Sequence, residues 1–178
     1  ALPGDYSSNQ IQTFWLASYD GSLGTYTKVY DRTKLRIVWG QTSGTDNPAL
    51  EAAIYYKDGS DYKVGRFALD PISRTTIGST CADGTNCFCQ QSTGNNCAGV
   101  TIFNSGSEAV DGTNFKYGAT LDLGAFRNGG TKYLLFARLR LLYSANPQIL
   151  GAAAVSGTGT SNFPSQGVKI SAVGQSGS

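Results

Sequence analysis

Four cysteines, Cys81, Cys87, Cys89 and Cys97, fall within seventeen residues and form the one constellation whose residue type and spacing could carry chemistry. Their pattern is C-x5-C-x-C-x7-C. A structural zinc site is built from two chelating pairs at two- to four-residue spacing, so that each pair spans one tetrahedral edge. A thiol redox centre uses C-x-x-C. Neither spacing occurs, and no metal is expected. An even count in a stretch rich in Gly, Asn and Thr reads instead as two disulfides. Cys87 and Cys89, separated by one residue on an extended chain, point the same way and are poor partners for each other. Two pairings remain: 81–87 with 89–97, or 81–89 with 87–97. In the chain-entropy account, bridges closing such short loops contribute roughly 2–3 kcal/mol each. They belong to an oxidising compartment, and their expected role is structural.

The other means of catalysis are sparse. The chain has no histidine, which removes the usual general base, the Ser-His and Cys-His dyads and the commonest metal ligand. No nucleophile elbow, phosphate-cradling loop or dinucleotide fingerprint occurs. Carboxylates could still serve as a glycosidase pair. Asp58 and Asp61 flank a turn, Asp111-Gly112 is another turn, and Asp20 and Asp122 stand alone. No enzymatic activity and no cofactor are therefore expected. The ten tyrosines include Tyr55, Tyr56 and Tyr62, which a hairpin would bring together. They offer either cross-strand packing or a candidate surface contact for a saccharide.

The elements that would position these groups are strands. Ala49–Pro71 contains two runs rich in Ile, Tyr, Val and Phe around Lys57-Asp58-Gly59-Ser60. Asp-Gly favours positive φ, so this is a hairpin with its tip near Gly59. With Lys34–Trp39 before it, across the polar loop Gly40–Pro48, the segment predicts a three-stranded antiparallel meander. Leu35, Ile37 and Trp39 share one face of the first strand. Asp70-Pro71 ends the hairpin, because proline cannot donate to a ladder.

Further along, Gly99–Asn104, Asn114–Leu123 and Gln148–Val155 read as strands, with a short last one at Gly167–Val173. Thr131–Tyr143 is the longest apolar run and reads as a central strand. Strict alternation places Tyr133, Leu135, Ala137, Leu139 and Leu141 on one face, and Leu134, Phe136, Arg138, Arg140 and Leu142 on the other. Ile11–Ala17 is strand or a short helical turn. Residues 1–10 read as a flexible lead-in, 79–99 as a disulfide-stapled loop and 174–178 as a frayed tail. The whole of 1–178 is expected to be a single secreted domain, all-β or β-rich α+β, with antiparallel sandwich-like sheets and little helix.

Composition agrees. Charged residues make up 15% of the chain, against about 25% in ordinary domains, and the net charge is +2. Arg32/Lys34/Arg36 and Arg138/Arg140 sit at strand spacing and read as solvated sheet faces. They are too few for a nucleic-acid surface. No stretch approaches the ~20 apolar residues of a spanning helix. The absence of methionine and the start at Ala1 suggest a chain processed from a longer precursor.

Arg36–Trp39, then Asn47-Pro48-Ala49-Leu50-Glu51, then IYYKDGSDYKVGRFALDP resemble the soluble domain of type IV pilin-like proteins, specifically minor pilins and pseudopilins. LLFARLRLLYSANPQILG followed by FPSQGVKIS fits the same pattern, and together these segments cover about half the chain. The resemblance implies an antiparallel meander and a structural subunit of an extracellular filament or pilus-like appendage. Its partners would be copies of itself or other filament subunits, and adhesion would run through the disulfide loop and the hairpin tip. The apolar anchor helix of that family is absent from this sequence. A second filament reading makes Ile11, Thr13 and Trp15 a donor strand lent to a neighbouring subunit. A third reading is a carbohydrate-binding adhesion module that does not polymerise, recognising a cell-surface glycan or protein through exposed aromatics.

Overall fold

The computed structural model describes residues 5–72, 74, 80–82, 85–90, 100–127, 130–155 and 163–166. Thirteen strands account for nearly all of the regular structure: β1 (Asp5–Tyr6), β2 (Ile11–Trp15), β3 (Ala17–Asp20), β4 (Thr25–Lys28), β5 (Lys34–Gln41), β6 (Ala49–Asp58), β7 (Asp61–Asp70), β8 (Thr80–Ala82), β9 (Asn86–Gln90), β10 (Val100–Val110), β11 (Thr113–Asp122), β12 (Lys132–Leu142) and β13 (Gln148–Ala154). A single 3₁₀ turn, Gly124–Phe126, is the one helical piece among the described residues.

Two sheets pack face to face. One has five strands in the order β1-β13-β5-β11-β10, and the other has six in the order β2-β12-β6-β7-β9-β8. Strands β3 and β4 form a separate ribbon. Among the described residues all pairs are antiparallel except β7–β9. The core lies between the sheets: Leu35, Ile37, Trp39, Tyr117 and Leu121 from one meet Leu50, Ile54, Phe67, Leu69 and Leu139 from the other. The period of two makes this inevitable for β6, whose Leu50, Ala52, Ile54 and Tyr56 are buried while Glu51, Ala53 and Tyr55 face outward. The all-β, antiparallel, sandwich-like expectation holds.

The hairpin β6–β7 turns at Gly59, which has φ of 62°, and β7 stops at Asp70 as the following proline requires. Asp111 and Gly112 both take positive φ between β10 and β11. Strand β12 is central, flanked by β2 and β6.

The three-stranded meander is corrected. Strand β5 pairs with β11 and β13 in the opposite sheet rather than with β6. Its apolar face and that of β6 bury each other across the layer, which the long intervening loop permits. That loop is pinned by the Trp39 Nε1–H, which donates to the Pro48 carbonyl at 2.8 Å. The alternation read for β12 is corrected at its start. A bulge between Leu134 and Phe136 shifts the register, so Leu134 and Leu135 are both buried and Tyr133 turns outward.

Within residues 79–99, read as loop, β8 and β9 add two strands to the sheet edge, and Cys87 and Cys89 share the buried face of β9. In the lead-in, β1 pairs with β13 and Tyr6 is buried, so that segment is anchored at its centre. Residues 167–178, including the strand expected at Gly167–Val173 and the tail at 174–178, lie outside the described residues. No helix among the described residues is long and apolar enough to cross a membrane.

Candidate functional site

The cysteines resolve in favour of one pairing. Cys81 and Cys87 face each other across the antiparallel pair β8–β9 and are bridged. This excludes the alternative with 81–89 and 87–97. Cys89 is also disulfide-bonded, and Cys97 lies outside the described residues. No group of three or more potential metal ligands occurs among the described residues.

Ile11, Thr13 and Trp15 lie in β2, paired with Arg140, Arg138 and Phe136 of their own chain. Their side chains take the outer face, while the neighbouring Phe14 is buried and stands edge-on to Phe163, 5.4 Å between centroids. The far edge of β2 is occupied by a side chain. The Gln166 Nε2–H donates to the Trp15 carbonyl at 3.0 Å, and the Trp15 N–H donates to Gln166 Oε1 at 2.8 Å.

The three tyrosines separate. Tyr56 is corrected from the surface to the core, where it meets Phe126 edge-on at 5.2 Å; adjacent residues of a strand point to opposite faces, so Tyr55 and Tyr56 cannot share a platform. Tyr62 is 66% exposed near the hairpin tip, with Lys57 Nζ 5.7 Å from its ring centroid. Tyr55 joins other aromatics on the outer face of the six-stranded sheet.

Register assembles that face from strands far apart in sequence. Trp15, Phe136, Tyr55 and Val64 form one cross-strand row. The Phe136 ring stacks on Tyr55 at 4.5 Å and meets Trp15 edge-on at 5.3 Å, the offset geometries that aromatic quadrupoles favour. The next row, one pleat away, is Thr13, Arg138, Ala53, Arg66 and Asn86. The third is Ile11, Arg140, Glu51, Ala68 and Phe88. Because Ala53 and Ala68 are small, the long side chains beside them leave depressions. One hollow of about 210 Å³ lies among Tyr55, Ala53, Arg138 and Arg66. A second, of about 490 Å³, runs on past Arg66 and Arg140 to Ala68 and Phe88.

Charge on this face is uneven. Arg140 donates through Nε at 2.8 Å, and through a second guanidinium nitrogen, to Glu51 Oε2. Arg66 and Arg138 have no carboxylate partner among the described residues. The Arg138 guanidinium is instead held by rings, 5.5 Å from Tyr55 and 5.7 Å from Phe136. These three rows therefore carry three guanidiniums against one carboxylate, with the aromatic strip beside them. Such a surface can stack a flat ring and ion-pair with an anion.

The carboxylates weighed as a glycosidase pair are placed differently. Asp58 and Asp61 are opposed at the hairpin tip. Asp58 accepts a hydrogen bond from Lys63 Nζ at 2.8 Å, which holds its carboxyl below the usual range. A glycosidic general acid needs a raised pKa.

Glu51, Phe136 and Arg138 were not legible as a site, although their types were plain. Their meeting depends on the pairing of β6 with β12, 89 residues apart at Glu51–Arg140. Comparison with protein-family models, characterised proteins and solved structures finds no match to this chain.

Proposed function

We propose that this protein is a non-catalytic, extracellular adhesion module that binds saccharide on the outer face of its six-stranded sheet. The observation that carries this reading is the strip Trp15–Phe136–Tyr55, in which three neighbouring strands place aromatic rings in contact on the outward side of the sheet. Rings clustered in this way offer apolar contact to the C–H groups of a pyranose, and the flanking arginines can donate to hydroxyl or acid groups. The disulfide Cys81–Cys87 supports an oxidising, extracellular setting.

Transfer of β2 to a neighbouring subunit would withdraw Phe14 from the core and break the pairing with β12. The adhesion reading requires no such opening. A glycan array tests it: the wild-type protein binds a subset of saccharides, and Tyr55→Ala loses that binding while retaining its circular dichroism spectrum. Binding that survives Tyr55→Ala unchanged would sink the assignment to this face.

A further inference from the structure

The two guanidiniums without carboxylate partners define the ligand more closely. Arg138 and Arg66 are both in register with Ala53, one on each side of it. Adjacent strands lie about 4.8 Å apart, so the two backbones are separated by roughly 10 Å across Ala53, and both side chains line the same hollow. The hollow of about 210 Å³ is bounded by these same three residues together with Tyr55, Ile11 and the Glu51–Arg140 ion pair. Rings beside a site that offers two planar cationic forks suit a ligand with a flat apolar face and an acidic group on the same unit. A guanidinium fork matches a carboxylate in two parallel hydrogen bonds. The third arginine does not compete, because Glu51 already engages it. The larger hollow shares Glu51, Arg66 and Arg140 with the smaller one and reaches Ala68 and Phe88, so the two side by side suit a ligand longer than one sugar.

We infer that the face takes a polyuronate, stacking the pyranose units on the Tyr55–Phe136–Trp15 strip while Arg138 and Arg66 hold the uronate carboxylates above Ala53. This rests on the saccharide reading above and adds the acid group as the feature recognised. Single-stranded nucleic acid also combines rings with anions, but it draws its affinity from many phosphate contacts along a strongly basic track. Here the net charge of the whole chain is +2.

The test titrates the full chain with oligogalacturonate and with the same oligomer fully methyl-esterified, which removes the charge and keeps the sugar. The expected result is binding of the acid form at least about tenfold tighter than the ester, as loss of a charge-assisted contact implies. Arg66→Ala and Arg138→Ala should each abolish that preference, with unchanged circular dichroism. Arg138→Lys should restore little of it, since the ammonium lacks the fork. If acid and ester bind equally and Tyr55→Ala abolishes both, the inference fails while the saccharide reading stands. If neither oligomer binds, the inference fails, and the array decides the saccharide reading separately. Tighter binding of dextran sulfate or of oligo-dT than of oligogalacturonate, insensitive to Tyr55→Ala, would identify a generic cation patch and overturn the inference.

Discussion

The guanidinium of Arg138 lies 5.5 Å from the centroid of the Tyr55 ring, a contact between strands β12 and β6 that fixes a long cationic side chain against a flat one. Cation–π pairs at exposed sites contribute about 0.5–1 kcal/mol. A double-mutant cycle with Arg138→Ala and Tyr55→Phe or Tyr55→Ala should therefore give a coupling of that size with the Ala variant. Tyr55→Phe should preserve most of it, because the ring face is retained. Urea denaturation of the four proteins measures this, and a coupling of zero would show that Arg138 is not held there in solution.

Adjacent tyrosines should behave oppositely. Tyr56 is buried against Phe126, so Tyr56→Ala should cost about 3–5 kcal/mol of unfolding free energy, the range for large aromatic truncations in a core. Tyr62→Ala, at the exposed hairpin tip, should stay within about 0.5 kcal/mol of wild type. Denaturant midpoints at constant slope would check both, and similar losses at the two positions would contradict the register of β6.

Gly65 sits in β7 beneath a ring. A methyl group added there would lie 2.2 Å from Phe126 Cε1 and 2.7 Å from the Thr85 carbonyl oxygen. The backbone contact is real, since the neighbouring Arg66 N–H donates to that same carbonyl at 2.7 Å. Gly65→Ala should destabilise by about 1–3 kcal/mol or more, as overpacking does. Phe126→Leu in the same chain should recover part of the loss, because it removes the ring but not the carbonyl. The cycle is read by thermal unfolding, and full recovery would mean that the carbonyl gives way easily.

Asp46 ties the turn before β13 to the loop before β6. Its Oδ2 accepts the Asn146 N–H at 2.9 Å, the Ala145 N–H at 3.1 Å and the Ser144 hydroxyl at 3.2 Å. The Asn146 backbone bond, followed by the side-chain bonds of Ser144 and Asn146, holds its pKa below the usual aspartate range. A depressed folded-state pKa means the stabilisation is present above the unfolded value, about 3.9, and is lost as pH falls through the folded value. Asp46→Asn should therefore be less stable than wild type at pH 7, and the two should converge as pH drops below about 4. A gap that stays constant with pH would assign the effect to geometry rather than charge.

Removing the Cys81–Cys87 bridge by the double Ser variant should cost about 2 kcal/mol, the closure entropy of so short a loop. The loss should be concentrated at the sheet edge, since β8 pairs with β9 alone. Hydrogen exchange should show faster amides in β9 with little change in β6 or β12. Uniform loss across both sheets would make the bridge a global rather than a local fastener.

What was legible in the sequence is what repeats locally. Alternation in Leu50-Glu51-Ala52-Ala53-Ile54, positive-φ residues at Gly59 and Gly112, and Pro71 as a terminator yielded strands and turns near their observed places. Pairing across the layers was not legible. Nothing in Leu35-Arg36-Ile37 distinguishes a partner in the same sheet from one facing it, because both arrangements bury the same stripe. The bulge at Leu135 was hidden for a related reason: an extra residue in one strand is defined only against the strand beside it. The candidate site combined both difficulties. Arg138 read as one of a solvated pair, and Tyr55 as one of three hairpin tyrosines. Only the β12–β6–β7 register sets Arg138, Ala53 and Arg66 side by side.

The primary amide of Gln166 carries the same donor and acceptor as a peptide unit, and at Trp15 it fills both positions that a further strand would take. At Trp15 the rim of the sheet is thus occupied by a mimic one residue long, within the aromatic strip. Replacing Gln166 with alanine would leave that rim able to template an incoming chain.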